Sequence, residues 1–381
     1  MRVKLKDAFN LQMGKTPSRA DLSMWGGNNK WISIADIGSA KKYISSTKEC
    51  ITDEGVSRSG IKVVPEGTVI MSFKLSIGKT AIVSEDMYTN EAIMAFIDNG
   101  TYCIDPNYLY HLCCGTDWTQ GGNKAVMGLT LNKATLSEME IELPTIEEQR
   151  KIASILDQLD AIIEKRHDEL NMIEQLVKSR FIELFGDPKS NPKGYTKKQL
   201  GETCKVITGN TPSRAVAEYY GDHIEWIKTD NIVSGLLNPT TATECLSEKG
   251  MTVSRTVESG VILMACIAGS VSSIGRVCVT NRKVAFNQQI NAIVPYDYNI
   301  LFLYAMLQIS KEYLVDGINM ALKGILSKSK LEEKTFFVPP IDLQEQFAAF
   351  VEQTDKSKLA VQKALEELEI LKKSLMQQYF G

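Results

Sequence analysis

The sequence predicts a duplicated α+β domain, each copy ending in a long helix. Three observations lead there. The stretch "GKTPSRA" at residues 14–20 returns as "GNTPSRA" at 209–215, 195 residues later. The same offset links Trp31-Ile32 to Trp226-Ile227, Gly55 to Gly250, "LPTIEEQ" at 143–149 to "VPPIDLQ" at 338–344, and Phe185-Gly186 to Phe380-Gly381. A period this long is far outside the 20–50 residues of solenoid repeats, so a whole domain has been duplicated head to tail. Finally, the chain runs from Ile146 to Phe185 without a glycine or proline.

Taken in order, residues 1–142 mix short β-rich runs ("WISIADI", "TVIMSF", "TAIV", "AIMAFI") with Gly, Pro, Ser and Asn clusters. That pattern is expected of a compact α+β domain. Residues 143–186 are expected to form a helix. Thr145 and Glu148 have the spacing of a capping box, and Gly186-Asp187-Pro188 supplies the stop. Within the helix, a 4-3 seam runs through Ile152, Leu156, Leu159, Ile163, Arg166, Leu170, Ile173, Val177, Arg180 and Leu184. Such a seam is the mark of a helix packed on another helix.

A connecting loop follows at 187–196, then the second domain at 197–337 and the second helix at 338–381. The second helix is expected to start at Asp342, with Glu345 three residues on. Its seam, through Phe347, Val351, Val361, Leu365, Leu368 and Leu375, is interrupted by Thr354, Lys358 and Lys372, where a partner is expected to complete the packing. Connection lengths predict the helix direction. A 40-residue helix is ~60 Å long, whereas the ten-residue loop reaches at most ~35 Å. Antiparallel packing, with pseudo-twofold symmetry, lets each helix start beside its own domain.

Composition narrows the function classes. The chain has 381 residues and a formal net charge of −3. The N-terminus lacks the apolar core of a signal peptide, and no apolar run approaches the ~20 residues that span a bilayer. Eight scattered cysteines without a C-x-x-C pair, and only three histidines, predict reduced thiols, no metal site and a cytoplasmic chain free of membrane. The two helix segments together carry −5 and the rest of the chain +2. This balance permits DNA binding by the domains and leaves more of the work to base-edge contacts or to a basic partner.

Catalytic motifs are missing. "VPPIDL" has the two prolines of an adenine-methyltransferase loop without its flanking polar and aromatic groups, and no Phe-x-Gly-x-Gly turn or Walker loop occurs. Glu332-x-Lys334 with Asp316 upstream could suggest a nuclease, but the corresponding "LSEME" of the first copy has no lysine. The chain is expected not to be a catalyst.

The block "LPTIEEQRKIASILDQLDAIIEKRHDELNMIEQLVKSRF", its echo "VPPIDLQEQFAAFVEQ", the paired "TPSR" and "FNQQINAI" at 286–293 resemble the specificity subunits of type I restriction-modification systems. The resemblance covers the whole chain and the order of its parts. It implies that 1–142 and 197–337 are target-recognition domains, each reading half of a bipartite double-stranded DNA site with an unread gap. It also implies that the helices set that gap and dock two methyltransferase subunits, with restriction subunits joining them. S-adenosylmethionine would belong to the methyltransferase, and this chain would bind no cofactor. A ~60 Å helix would span about 18 base pairs, which suits half-sites about one helical turn apart.

Candidate DNA contacts follow from the repeat. Thr16, Ser18 and Arg19 in the first turn match Thr211, Ser213 and Arg214 in the second, and Lys15 adds a cation to the first. Arg19 and Arg214 could clamp phosphates or meet guanine edges, yet Thr-Pro-Ser is also good turn chemistry, and both readings are open. Lys79 and Arg276 are matched basic positions after Ile-Gly. Asn287, Gln288 and Gln289 carry amides suited to adenine or to a hydrogen-bonded strand end, and the first copy has Asn90-Glu91-Ala92 there. Lys124 and Lys323 are loop candidates, while Trp31 and Trp226 could stack on bases or open a core strand. The competing function class is a two-lobed coiled-coil adaptor for protein partners.

Overall fold

A computed structural model describes residues 1–74, 76–118, 123–125, 128–318 and 324–381. The chain divides into two compact units, Met1–Lys165 with Leu365–Gly381, and Arg166–Ala364. Each unit holds one α+β domain and parts of both long helices.

In the first unit, a five-stranded sheet has the order Phe9–Met13, Ile93–Asp98, Val69–Ser72, Thr80–Val83, Tyr43–Ile44. Its ladders are antiparallel except at the Tyr43–Ile44 edge. Because side chains alternate along a strand, Val69, Met71, Ile82, Met94 and Phe96 face one core, shared with Tyr108 and Leu112 of the helix Pro106–Gly115. Ile70, Ala81, Val83, Ile93 and Ala95 face a second core. With both faces covered, these strands read as unbroken apolar runs rather than as alternating ones. A three-stranded sheet carries Trp25–Ile32 between Glu49–Ile51 and Tyr88–Thr89.

The second unit repeats the plan. Cys204–Thr208, Ile290–Pro295, Ile262–Ala265 and Val277–Val279 form an antiparallel sheet. Ile224–Ile227 sits in a second sheet, parallel to Val284–Phe286. Each domain is tied off where it meets its helix: Arg2–Lys4 pairs with Glu140–Glu142, and Lys197–Gln199 with Thr335–Phe337.

The long helices run Ile146–Phe185 and Ile341–Phe380. The first starts and stops as the sequence predicts. The Thr145 amide donates to the Glu148 carboxylate (3.1 Å), and the Glu148 amide donates to the Thr145 hydroxyl (3.3 Å). Gly186 leaves the helix at φ +81°. The second helix starts one residue earlier than expected. The carbonyl of Pro340 accepts from the Leu343 and Gln344 amides, which puts Asp342 inside the first turn, where its charge suits the helix dipole.

A glutamine in each first turn explains why the motif Pro-x-x-x-x-Gln occurs twice. Gln149 is 1% exposed; its amide donates to the carbonyls of Pro144 (3.0 Å) and Cys103 (3.1 Å), and its oxygen accepts from the Asp105 amide (3.0 Å). Gln344 is fully buried and bonds the Pro339 carbonyl (2.8 Å) and the Asn299 amide (2.9 Å) in the same way. Each glutamine thereby fixes the start of a long helix to its domain.

All ten seam positions of the first helix are buried or half-buried. The polar positions of the second seam find partners within the chain, which corrects the expectation that another protein completes them. Lys372 pairs with Asp160 at 2.5 Å, Lys358 with Glu174 at 2.6 Å, and the Thr354 hydroxyl donates to the Phe350 carbonyl. Within the second unit Phe181 meets Phe347 and Glu174 meets Lys358, so residue numbers fall along one helix as they rise along the other and the two segments run antiparallel.

Candidate nucleic-acid interface

The repeated turn is built from backbone contacts that only glycine permits. The Gly14 amide donates to the Ile93 carbonyl (3.2 Å) and the Lys15 amide to that of Thr89 (2.9 Å). A Cβ on Gly14 would sit 2.1 Å from the Thr89 oxygen. In the second copy Gly209 donates to Ile290 (3.0 Å) and Asn210 to Phe286 (3.2 Å), and a Cβ on Gly209 would sit 2.2 Å from the Asn287 oxygen. Both turns are pinned from below by a tryptophan. Trp31 Nε1 donates to the Lys15 carbonyl (3.0 Å) and Trp226 Nε1 to that of Asn210 (3.3 Å). At 2% and 3% exposure, these indoles are core residues, closed to base stacking.

Arg19 and Arg214 are held alike. Arg19 forms a two-pronged pair with Glu49, one prong at 2.8 Å, and its guanidinium lies 3.8 Å from the ring of Trp25 and 5.0 Å from that of Trp31. Arg214 pairs with Glu244, one prong at 3.1 Å, over Tyr220 (4.4 Å) and Trp226 (5.1 Å). The hydrogen bonds from Arg214, joined by Lys228, outweigh partial burial and hold the Glu244 carboxyl down at about 2. Both arginines are braced on a carboxylate and aromatic faces, geometry that suits the turn-scaffold reading.

What the turn presents outward differs between copies. The Thr16 hydroxyl donates to the exposed Glu91, and the Thr211 hydroxyl to the exposed Gln288. Beside them, Lys15 Nζ donates to the Ser59 carbonyl (3.0 Å), while in the second copy Arg255 reaches in from the facing segment, donating to the Thr208 carbonyl. Ser18 and Ser213 are exposed, next to the buried Pro17 and Pro212. Their carbonyls accept from Trp25 Nε1 (3.1 Å) and the Val216 amide (3.1 Å).

The remaining candidates are placed differently. Asn287 is buried; its oxygen accepts from the Gln289 amide (3.0 Å) and its Nδ2 donates to the Gln289 side chain (3.2 Å), so both groups serve the turn. Exposed Lys79 lies against Gly38. Arg276 is half-buried and donates to the Ser272 carbonyl (3.3 Å). It lines a cleft of about 590 Å³ with Lys311, Tyr304, Asp355, Glu174 and Lys358, which no residue of the repeated turn lines. Lys124 falls opposite Leu129 in the hairpin of Asn123–Ala125 and Gly128–Thr130. Lys323 lies outside the described residues.

The sequence reading missed Glu49, Glu244 and Arg255. The first two were detectable, since they too are separated by 195 and carry the same residue type. Arg255 was hidden from a fixed offset of 195: Val64 pairs with Met87 as Val257 pairs with Val284, so the offset here is 193 and the basic counterpart of Arg255 is Lys62. Among the described residues, no group of three or more His, Cys, Asp or Glu is placed to hold a metal ion, and no helix is long and apolar enough to cross a membrane.

The model of the family "Type I restriction modification DNA specificity domain" matches residues 1–175 and again 192–370. The chain belongs to that family. Similar proteins carry this family's role in their names. The MjaIX type I restriction enzyme specificity subunit of Methanocaldococcus jannaschii is 25% identical over 98% of this chain and 90% of its own. The HindI specificity subunit of Haemophilus influenzae is 30% identical over 42% of this chain and 38% of its own. Among solved structures, the S subunit of a type I restriction-modification system from M. genitalium covers all of this chain and 96% of its own, with TM-score 0.61 at 14% identity. A chain from a type I restriction-modification system studied for its assembly gives TM-score 0.62 at 19% identity, over all of this chain and 97% of its own. These likenesses show that the specificity-subunit fold extends along the whole chain.

Proposed function

We propose that this chain is the non-catalytic DNA-specificity subunit of a cytoplasmic type I restriction-modification complex. Domains 1–142 and 197–337 each read one half of a gapped site on double-stranded DNA. The long helices dock two methyltransferase subunits, which hold S-adenosylmethionine and transfer its methyl group to adenine, and restriction subunits join that core. One observation carries the reading: the same hydrogen-bonded frame is built twice and presents different polar side chains. A subunit that reads two unlike half-sites requires that combination, because phosphate contacts position while base-edge contacts specify. The helices also leave apolar side chains in solvent, among them Met172 and Ile370 at 70% and 69% exposure, which suits a surface that a partner covers.

The test is the adenine methylome, mapped by single-molecule sequencing with and without this gene. Loss of one bipartite, gapped motif on deletion is expected. An unchanged methylome, with the methyltransferase expressed, would overturn the specificity reading in favour of a protein adaptor.

A further inference from the structure

We propose that Glu91 and Gln288 are specificity-determining residues at one matched position of the two half-sites, Glu91 reading cytosine and Gln288 reading adenine. The inference rests on the specificity reading above and adds to it the identity of the reader and the class of base.

Their equivalence follows from hydrogen bonds. The Asn90 amide donates to the Ile32 carbonyl (3.0 Å), as the Asn287 amide does to that of Ile227 (3.0 Å). The Asn90 side-chain oxygen accepts from the Ala92 amide (3.0 Å), as that of Asn287 does from Gln289 (3.0 Å). The amides of Ile93 and Ile290 then close the same turn onto the Asn90 and Asn287 carbonyls, at 3.2 and 3.1 Å. Glu91 and Gln288 each follow the asparagine, each is exposed, and each accepts from the hydroxyl of the repeated threonine. Two frames matched bond for bond thus hold side chains of nearly equal shape and different chemistry.

That difference selects a base. A carboxylate only accepts, so with one oxygen on Thr16 the other can accept a hydrogen bond from the cytosine N4 amine, whereas adenine would set its N7 acceptor against a group that has no proton to donate. The Gln288 oxygen bonds Thr211 with one lone pair, which leaves its second lone pair and its NH₂ group for the adenine N6 and N7 pair. Lys15 and Arg255 stand beside these positions as exposed cations. Beside Glu91, the positive charge of Lys15 offsets part of the repulsion between a carboxylate and the phosphates.

The experiment maps the methylome in cells that express the full chain, or its E91Q or Q288E variant, with the cognate methyltransferase. E91Q is expected to move the preference at one position of one half-site from cytosine toward adenine by about tenfold. Q288E is expected to make the opposite change at the matched position of the other half-site. Both substitutions are isosteric, and an unchanged melting temperature verifies the fold. An unchanged motif in both variants, changes in both half-sites from one substitution, or loss of all methylation by a folded variant would each overturn the assignment. If instead deleting the gene leaves the methylome unaltered, the specificity reading itself has failed.

Discussion

The two copies anchor their helices with opposite chemistries. In the first unit, the buried His111 bonds Asp157 of the long helix at 2.7 Å, Lys42 reaches the same carboxylate, and Asp160 pairs with Lys372. In the second unit, where Asn299 caps the matching helix as Asp105 does in the first, Ala305 stands where His111 would be, and Phe181, Phe185, Phe302 and Phe347 interlock with centroids 4.7–6.4 Å apart. Asp355, the counterpart of Asp160, is half-buried, and Val177 occupies the position that matches Lys372. A duplicated fold therefore needs the same contacts in space but not the same forces. One junction depends on charge state, and the other on apolar area.

The largest test of that contrast truncates an aromatic. Phe185→Ala should cost the second unit about 3–5 kcal/mol, as deletion of a fully buried ring does. Its counterpart Phe380→Ala, half-buried against Tyr108, should cost the first unit less. Hydrogen exchange read peptide by peptide separates the two units, and equal losses would remove the distinction.

The shared element should behave the same in both. Gln149→Leu and Gln344→Leu each strand two or three buried backbone groups, at about 1–3 kcal/mol per group left unpaired. The same exchange experiment should find comparable losses, with fraying confined to the start of the affected helix.

Acid should separate the units again. Burial pushes the His111 pKa below its ordinary 6.5, against the pull of Asp157. The unfolded chain thus binds this proton first, and the first unit loses stability as pH falls through 6.5. Burial pulls Asp157 upward, but the bonds from Lys42 and His111 win and leave it below 3.8, so a further loss follows near that pH. Asp355 acts the other way: burial raises it above 3.8, and its contribution to the second unit is lost as pH rises through that range. Exchange at pH 7 and pH 5 should show the first unit weakening, and His111→Met should flatten the response. The smallest effect belongs to the partly exposed pair Asp160–Lys372, where Lys372→Ala should change stability by about 0.2–1 kcal/mol.

Much of this architecture was legible in the sequence because local rules govern it. The capping box at Thr145, the stop at Gly186 and the seam of the first helix depend on neighbours a few residues away, and each occurs where its pattern predicts. The start of the second helix was misplaced by one residue because an aspartate resembles a cap even when proline supplies the carbonyl. The partners of Lys358 and Lys372 were hidden for a different reason. They lie 184 and 212 residues away, and no local rule pairs them. The candidate site divides in the same way. The repeat pointed to the turn, but only the fold shows that Arg19 is braced by Glu49, that Asn287 is buried, and that Glu91 and Gln288 occupy one matched position.

A domain exchange shows whether the chain carries two independent readers on a shared frame. Residues 1–142 are replaced with the corresponding domain of another family member, and the methylated motif is sequenced. A new sequence is expected in one half of the motif, with the other half unchanged. A motif altered in both halves, or in neither, would contradict it.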